Sequence, residues 1–282
     1  MNFFVNVPYD LLCSKYLSLF IENHINPEIY FSPQLLDKWP EDEFKSLAKE
    51  LEKHHLKVSF HAPFYDLVPG AIDNKIRQVT QERLNEIFLL VPIFKAVAVV
   101  AHLGYDPRIY GNHKEEWLKN SLKTWEKFIP LVEKLKVYFN LENVFEPTPE
   151  IFLETFKNIS SPWMGICFDI GHIYAFTNST LKDWEIIFPY IKQPHLHDNR
   201  GKKDEHIGLG KGNINFIALF SLLKKYKRYP IITLEPHTEE AFWDSLKYLN
   251  NLPEDIKKFL TQCNLSLIHI SEPTRPRLIS YA

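Results

Sequence analysis

The chain is short of several things that define protein classes. It has 9 glycines, 2 methionines and 3 cysteines among 282 residues. Without a glycine period, a collagen-like rod is excluded, and 45% hydrophobic with 24% charged residues excludes a disordered chain. The cysteines, Cys13, Cys167 and Cys263, are odd in number and irregularly spaced, so they form neither a disulfide framework nor a zinc ribbon. No apolar run approaches the roughly 20 residues that span a bilayer. The opening MNFFVNV lacks the basic start and cleavage site of a secretory leader, and a cytoplasmic location without membrane contact is expected. Charge of one sign is lacking too: 33 basic against 35 acidic residues leave a net charge of −2. The one dense basic run, Lys224, Lys225, Lys227 and Arg228, falls at a predicted helix C-terminus, where cations favour the helix dipole. Nucleic acid is therefore not the expected partner, because binding it needs clustered phosphate-neutralising residues.

What is plentiful is aromatic residues and histidine. There are 21 phenylalanines, 13 tyrosines and 12 histidines. Short apolar runs alternate with amphipathic stretches from end to end, which argues for βα units on a parallel sheet. Eight strands are predicted: 3–7, 28–31, 57–61, 96–102, 137–142, 164–169, 191–197 and 231–235. AVAVVAH and MGICFD are nearly continuous apolar runs, as strands covered on both faces require. Eight such units in about 260 residues give an α/β fold, a single (β/α)8 TIM barrel, as one domain over 1–264. The last eighteen residues, LSLIHISEPTRPRLISYA, resemble an in-frame translation of a sequencing adapter and are set apart from the fold as an expected disordered artefact over 265–282.

The ends of successive strands carry His61, His102, Glu142, Asp169, His195 and Glu235. A barrel gathers its strand ends around one mouth, and imidazole nitrogen and carboxylate oxygen are ligands that zinc and manganese take. His172 follows Asp169 by three residues, and KKDEHIGLGKG supplies Asp204 and His206 with glycines for tight turns. Each residue alone has a plain structural reading; Asp169, for example, suits a helix N-cap. Nine together are costly to bury without a metal. Arg200 and Lys202, beside Asp204, are candidate phosphate contacts, although a solvated turn explains them equally well. Tyr65, Tyr105, Tyr110, Phe145 and Phe176 flank these motifs as stacking or packing residues.

The strand-end motifs, with D-x-x-H at 169–172 and H-x-H-D followed by D-x-H, resemble the xylose isomerase-like TIM barrel superfamily, including the endonuclease IV (AP endonuclease 2) type. That resemblance implies up to three zinc ions. His61, His102 and Glu142 would hold one; Glu142 would bridge to a second, held also by Asp169, His195 and Glu235; His172, Asp204 and His206 would hold the third. His197 stands where endonuclease IV sequences carry asparagine, and NVFEPTPE replaces their motif after Glu142, which argues against abasic-site cleavage. The runs VPYDLL, HAPFYDLVPGAID and HLGYDPRIYG resemble a subfamily named for cobamide remodelling.

Two chemistries are expected. In a phosphodiesterase acting on a small nucleotide-like substrate such as the cobamide nucleotide loop, two or three zinc (or manganese) ions generate and place a hydroxide, with Glu142 and Glu235 positioning it. In a sugar isomerase or epimerase, one divalent ion sits on Glu142, Asp169, His195 and Glu235 while the two glutamates exchange a proton at carbon. The surplus of ligands weighs toward the phosphodiesterase. A barrel that binds metal or sugar without turnover would be favoured by a substitution among the nine, and there is none.

Overall fold

The computed structural model describes residues 3–266. The adapter-like reading of 267–282 lies outside the described residues. The helix Glu254–Ser266 carries the fold two residues past the expected boundary at 264.

Eight parallel strands close on themselves in sequence order. They are β1 (Phe4–Pro8), β2 (Asn26–Tyr30), β3 (Ser59–His61), β4 (Ala98–His102), β5 (Tyr138–Glu142), β6 (Met164–Asp169), β7 (Ile191–Leu196) and β8 (Thr233–Leu234). Each predicted strand corresponds to one of these, and helices connect them as a (β/α)8 barrel. Five of the strands, β3, β4, β5, β7 and β8, are shorter than the runs that announce them, whereas β2 begins two residues earlier than expected, at Asn26. In the run at 96–102, for instance, Ala96 and Val97 fall outside β4, because the ladder to the next strand starts only at Ala98.

The helix Glu41–Lys53 buries the face that its apolar spacing predicts, whereas Ile76 and Val79 at the start of the helix Asn74–Phe94 stay exposed. Phe44, Leu47, Ala48 and Leu51 of the helix Glu41–Lys53 are buried. Between these helices and the barrel lies an aromatic layer. Phe31 is fully buried, with its ring 5.7 Å from Tyr9, 5.8 Å from Phe44, 5.1 Å from Phe60 and 6.0 Å from Phe94. Phe31→Ala is expected to cost about 3–5 kcal/mol through the cavity it leaves. That corresponds to a fall in melting temperature on the order of ten degrees in thermal unfolding, and a shift of one or two degrees would contradict this packing role.

The barrel interior is less apolar than the sequence suggests. Below the strand ends, Glu28 of β2 is completely buried. Its carboxylate accepts from Asn6 Nδ2 (3.1 Å), Ser59 Oγ (3.1 Å), Thr233 Oγ1 (3.3 Å) and Gln193 Nε2. Asn140 Nδ2 donates to Gln193 Oε1 at 2.9 Å. Six strands thus meet in one hydrogen-bonded layer, which satisfies a carboxylate that would otherwise be expensive to bury. Among the described residues no helix is long and apolar enough to cross a membrane. The first two residues of the basic run are engaged in ion pairs, Lys224 with Asp255 at 2.9 Å and Lys225 with Glu185 at 2.6 Å.

Candidate metal centre

Closure of the barrel brings eight strand ends to one mouth, where β3 to β8 and the loops that follow them present histidines and carboxylates, and β1 and β2 present Pro8 and Tyr30. Ligand-type atoms lie within 4.8 Å of one another in several overlapping groups. One is His61, His102 and Glu142; a second is Glu142, Asp169, His195 and Glu235; a third is His172, His197, Asp204 and His206. The structure therefore brings together all nine residues singled out from the sequence, and adds His197 and the buried Cys167 beside Glu142 and His195.

Glu142 is the hub. Its Oε2 is 3.0 Å from His61 Nε2 and 3.6 Å from His102 Nε2, and its Oε1 is 3.1 Å from His195 Nδ1 and 3.7 Å from His172 Nδ1. Glu235 Oε1 approaches the same His195 Nδ1, also at 3.1 Å. One ring nitrogen cannot donate well to two carboxylates at once, so the arrangement leaves negative charge without a partner. Asp204 Oδ1 is buried with no hydrogen-bond partner, 3.5 Å from His197 Nε2. Imidazole and carboxylate donors with unspent acceptor capacity fit a divalent metal such as zinc or manganese.

Electrostatics fit the same purpose. Burial disfavours the charged form of Glu142, yet the neighbouring His195 and His61 outweigh it and hold the carboxyl well below its ordinary range. Burial drives His102 down to about 3, so its ring is neutral and offers a lone pair. Asp204 stays ionised because His172 and His206 outweigh its burial.

Local structure explains how each side chain is aimed. Asp169 caps the helix Ile170–Phe176, accepting from His172 N at 2.8 Å, while its carboxylate also faces the cluster. Its helix-cap reading and its ligand reading therefore hold together. His172 is fixed by Nδ1 against Asn143 O at 2.7 Å, His206 by Nδ1 against Glu235 O at 2.8 Å, and His61 by Nδ1 against Ala62 O at 2.9 Å. In each case the backbone carbonyl takes the Nδ1 proton and leaves Nε2 for the site.

The loop after β7 is wound around Asp198, which accepts from the backbone N–H groups of Asn199, Gly210, Gly212 and Ile214. Gly212 is needed there, because a Cβ would lie 2.2 Å from Asn199 O. Asp198 thereby places Asp204 and His206, a role that its position in HLHD did not reveal.

Other sequence candidates fall elsewhere. Arg200 pairs with Glu205 at 2.7 Å and Lys202 N donates to Tyr174 O; neither side chain lines the cavity above the cluster. Tyr65, Phe145 and Phe176 line it, whereas Tyr105 and Tyr110 pack on Trp117. His237, left aside in the sequence, lines the cavity and stacks on His206 at 3.8 Å, and His206 stacks on His197 at 3.6 Å. Its signal was its place two residues after a strand-end glutamate. Glu28 was legible only as part of a strand, yet its Oε1 lies 3.0 Å from His195 Nε2, beneath the cluster.

Behind the metal-type ligands, Glu146 joins two loops, accepting from Tyr105 N (3.1 Å) and Val144 N (2.7 Å). Burial pushes its carboxyl from about 4.5 up to about 7 against those two bonds. Below about pH 4.5 the group is protonated whether folded or not; between 4.5 and 7 only the folded chain holds the proton; above 7 the buried group is charged. Its contribution to stability is therefore greatest at low pH and is lost as pH rises to about 7. Glu146→Gln should remove that slope, seen as a melting temperature that falls less than wild type from about pH 5 to about pH 8. Parallel pH profiles would refute it.

Sequence comparison agrees with the geometry. A family model described as xylose isomerase-like TIM barrel matches residues 21–258. The chain belongs to this family. It is 33% identical over 199 residues to an uncharacterized protein of Methanocaldococcus jannaschii (MJ1311), covering 68% of each chain. It is 26% identical over 184 residues to a Haemophilus influenzae protein provisionally named L-ribulose-5-phosphate 3-epimerase, covering 61% of this chain and 62% of that one. Among solved structures, a D-tagatose 3-epimerase-like protein superposes with a TM-score of 0.71 at 28% identity, over 95% of this chain and 100% of that one.

Proposed function

We propose that this member of the xylose isomerase-like family is a metal-dependent isomerase or epimerase acting on a sugar or sugar phosphate. The similarity to proteins named for tagatose and ribulose-phosphate epimerisation supports this over the phosphodiester hydrolysis that the ligand surplus suggested. The observation that carries it is the placement of two glutamates, Glu142 and Glu235, each 3.1 Å from His195 Nδ1 in one four-residue donor group with Asp169.

Glu142, Asp169, His195 and Glu235 would hold a divalent ion, which would supply polarisation of the substrate carbonyl and its neighbouring oxygen. The proton chemistry belongs to the glutamates. One carboxylate removes the proton from the carbon beside the carbonyl, the C–H electron pair moves into the carbonyl, and a carboxyl on the other side returns a proton to carbon. His61 and His102 line the same cavity and are positioned to orient hydroxyls.

The test is incubation of the metal-loaded protein with ketoses and ketose phosphates in D2O, following deuterium at the carbon beside the carbonyl by NMR. Exchange that disappears in Glu235→Gln is expected. No exchange with any ketose, together with hydrolysis of a simple aryl phosphodiester, would overturn the proposal.

The second reading, cleavage of a phosphodiester in a small nucleotide-like substrate, is favoured by one observation: His172, His197, Asp204 and His206 form a donor group of their own beyond what a single-metal isomerase uses. His206→Ala separates the two. It should leave ketose exchange within about tenfold of wild type if it only supports the site, and abolish turnover if several metals act together.

A further inference from the structure

We propose that the substrate is a sugar bearing an aromatic ring or a comparably flat apolar group, which lies along the aromatic part of the cavity while the sugar end meets the carboxylates and histidines. For the reacting end this rests on the sugar reading above. The cavity encloses about 800 Å³, toward the upper end of the roughly 300–1,000 Å³ typical of sites for drug-sized ligands. A single small polyol leaves most of it to water.

The chemistry of the lining is also divided. The metal-type ligands form one part, and much of the remainder is apolar, including Val7, Leu19 and Phe20. A free sugar presents hydroxyls on nearly every carbon, and each one set against such a wall loses a hydrogen bond to water without gaining another. The apolar wall therefore matches a part of the substrate that is not polyol.

Three rings that line this cavity are also held out to solvent: Tyr65 is 71% exposed, Phe176 40% and Phe145 36%. They are supported rather than loose. Tyr65 packs on Phe64 with centroids 4.4 Å apart, Phe145 packs on Phe176 at 4.9 Å, and the Arg108 guanidinium covers Phe145 at 4.5 Å. Leu11, also lining the cavity and 45% exposed, directly precedes a π-helical turn at Leu12–Tyr16, a widened geometry that recurs at functional sites. Fixed, exposed rings beside a polar reaction centre suit stacking on a flat group.

The experiment is calorimetric titration of the zinc-loaded protein with a ketose and with the same ketose carrying a phenyl ether on its terminal hydroxyl. The same samples are followed for deuterium exchange in D2O. The phenyl ketose should bind at least about tenfold tighter, equivalent to 1.4 kcal/mol. Phe176→Ala and Tyr65→Ala, checked for wild-type zinc content as evidence of folding, should each lose most of that gain. Equal affinity of the two ketoses overturns the proposal whether or not exchange occurs, and so does a gain that survives both substitutions. Tighter phenyl-ketose binding without exchange on either compound upholds the aromatic subsite and overturns the epimerase chemistry instead.

Discussion

Glu142→Ala should release bound divalent metal and lower turnover by more than about a hundredfold, the scale seen when one preorganised charge-stabilising group is removed from an active site. The two oxygens of Glu142 face His61, His102, His195 and His172 at 3.0 to 3.7 Å, so one truncation takes a shared donor from three overlapping groups at once. Elemental analysis of protein purified without chelator or added metal reads the result directly. Retention of full metal content would remove Glu142 from the ligand set and with it the proposed chemistry. Glu142→Gln is the informative companion: it keeps the volume and one acceptor oxygen, so a variant that folds with wild-type stability but holds less metal separates the charge from the packing.

Chelation should lower the melting temperature by on the order of ten degrees. A metal that binds only the folded chain at about a thousand times its dissociation constant contributes about 4 kcal/mol, and a chain of this size shifts roughly 2–4 °C per kcal/mol. The physical reason is the crowding of ionised groups. Glu142, Asp169 and Asp204 converge on the mouth. Without a cation their mutual repulsion is met only by histidines, of which His102 stays neutral because burial drives it down to about 3. Differential scanning fluorimetry with chelator, then with zinc or manganese restored, measures the shift, and Glu142→Ala should respond weakly to either. A wild-type melting curve indifferent to chelator and to added metal would mean that the histidines and carboxylates satisfy one another unaided.

Much of the fold was legible because it depends on periods. Alternation of apolar runs with amphipathic stretches marks βα units whatever the substrate, and a polar residue closing an apolar run, as in SFHAPF or CFDIGH, is conspicuous against its neighbours. His61, His102, Asp169 and Glu235 were visible for that reason. Glu28 was not, because it sits within a strand, and a strand covered on both faces does not declare which of its residues point inward. Asp198 and His197 were legible only as HLHD. Their roles depend on where the following loop returns, with Gly171 so close to the His197 ring that a Cβ there would lie 2.1 Å from Cε1. Arg200 drew attention through its neighbours in the sequence, but the turn that carries it gives its guanidinium to Glu205.

The sequence by itself determined the barrel, its strand order and the kinds of donor at its mouth, since those follow from local pattern and from a closure rule common to eight βα units. Only the tertiary structure decided how closely the donors approach Glu142, which the family resemblance had singled out as the shared carboxylate, that His197 joins them, and that an aromatic-lined cavity stands beside them. Those are distances between residues scores of positions apart. They are set by strand register and loop path, which no local pattern encodes.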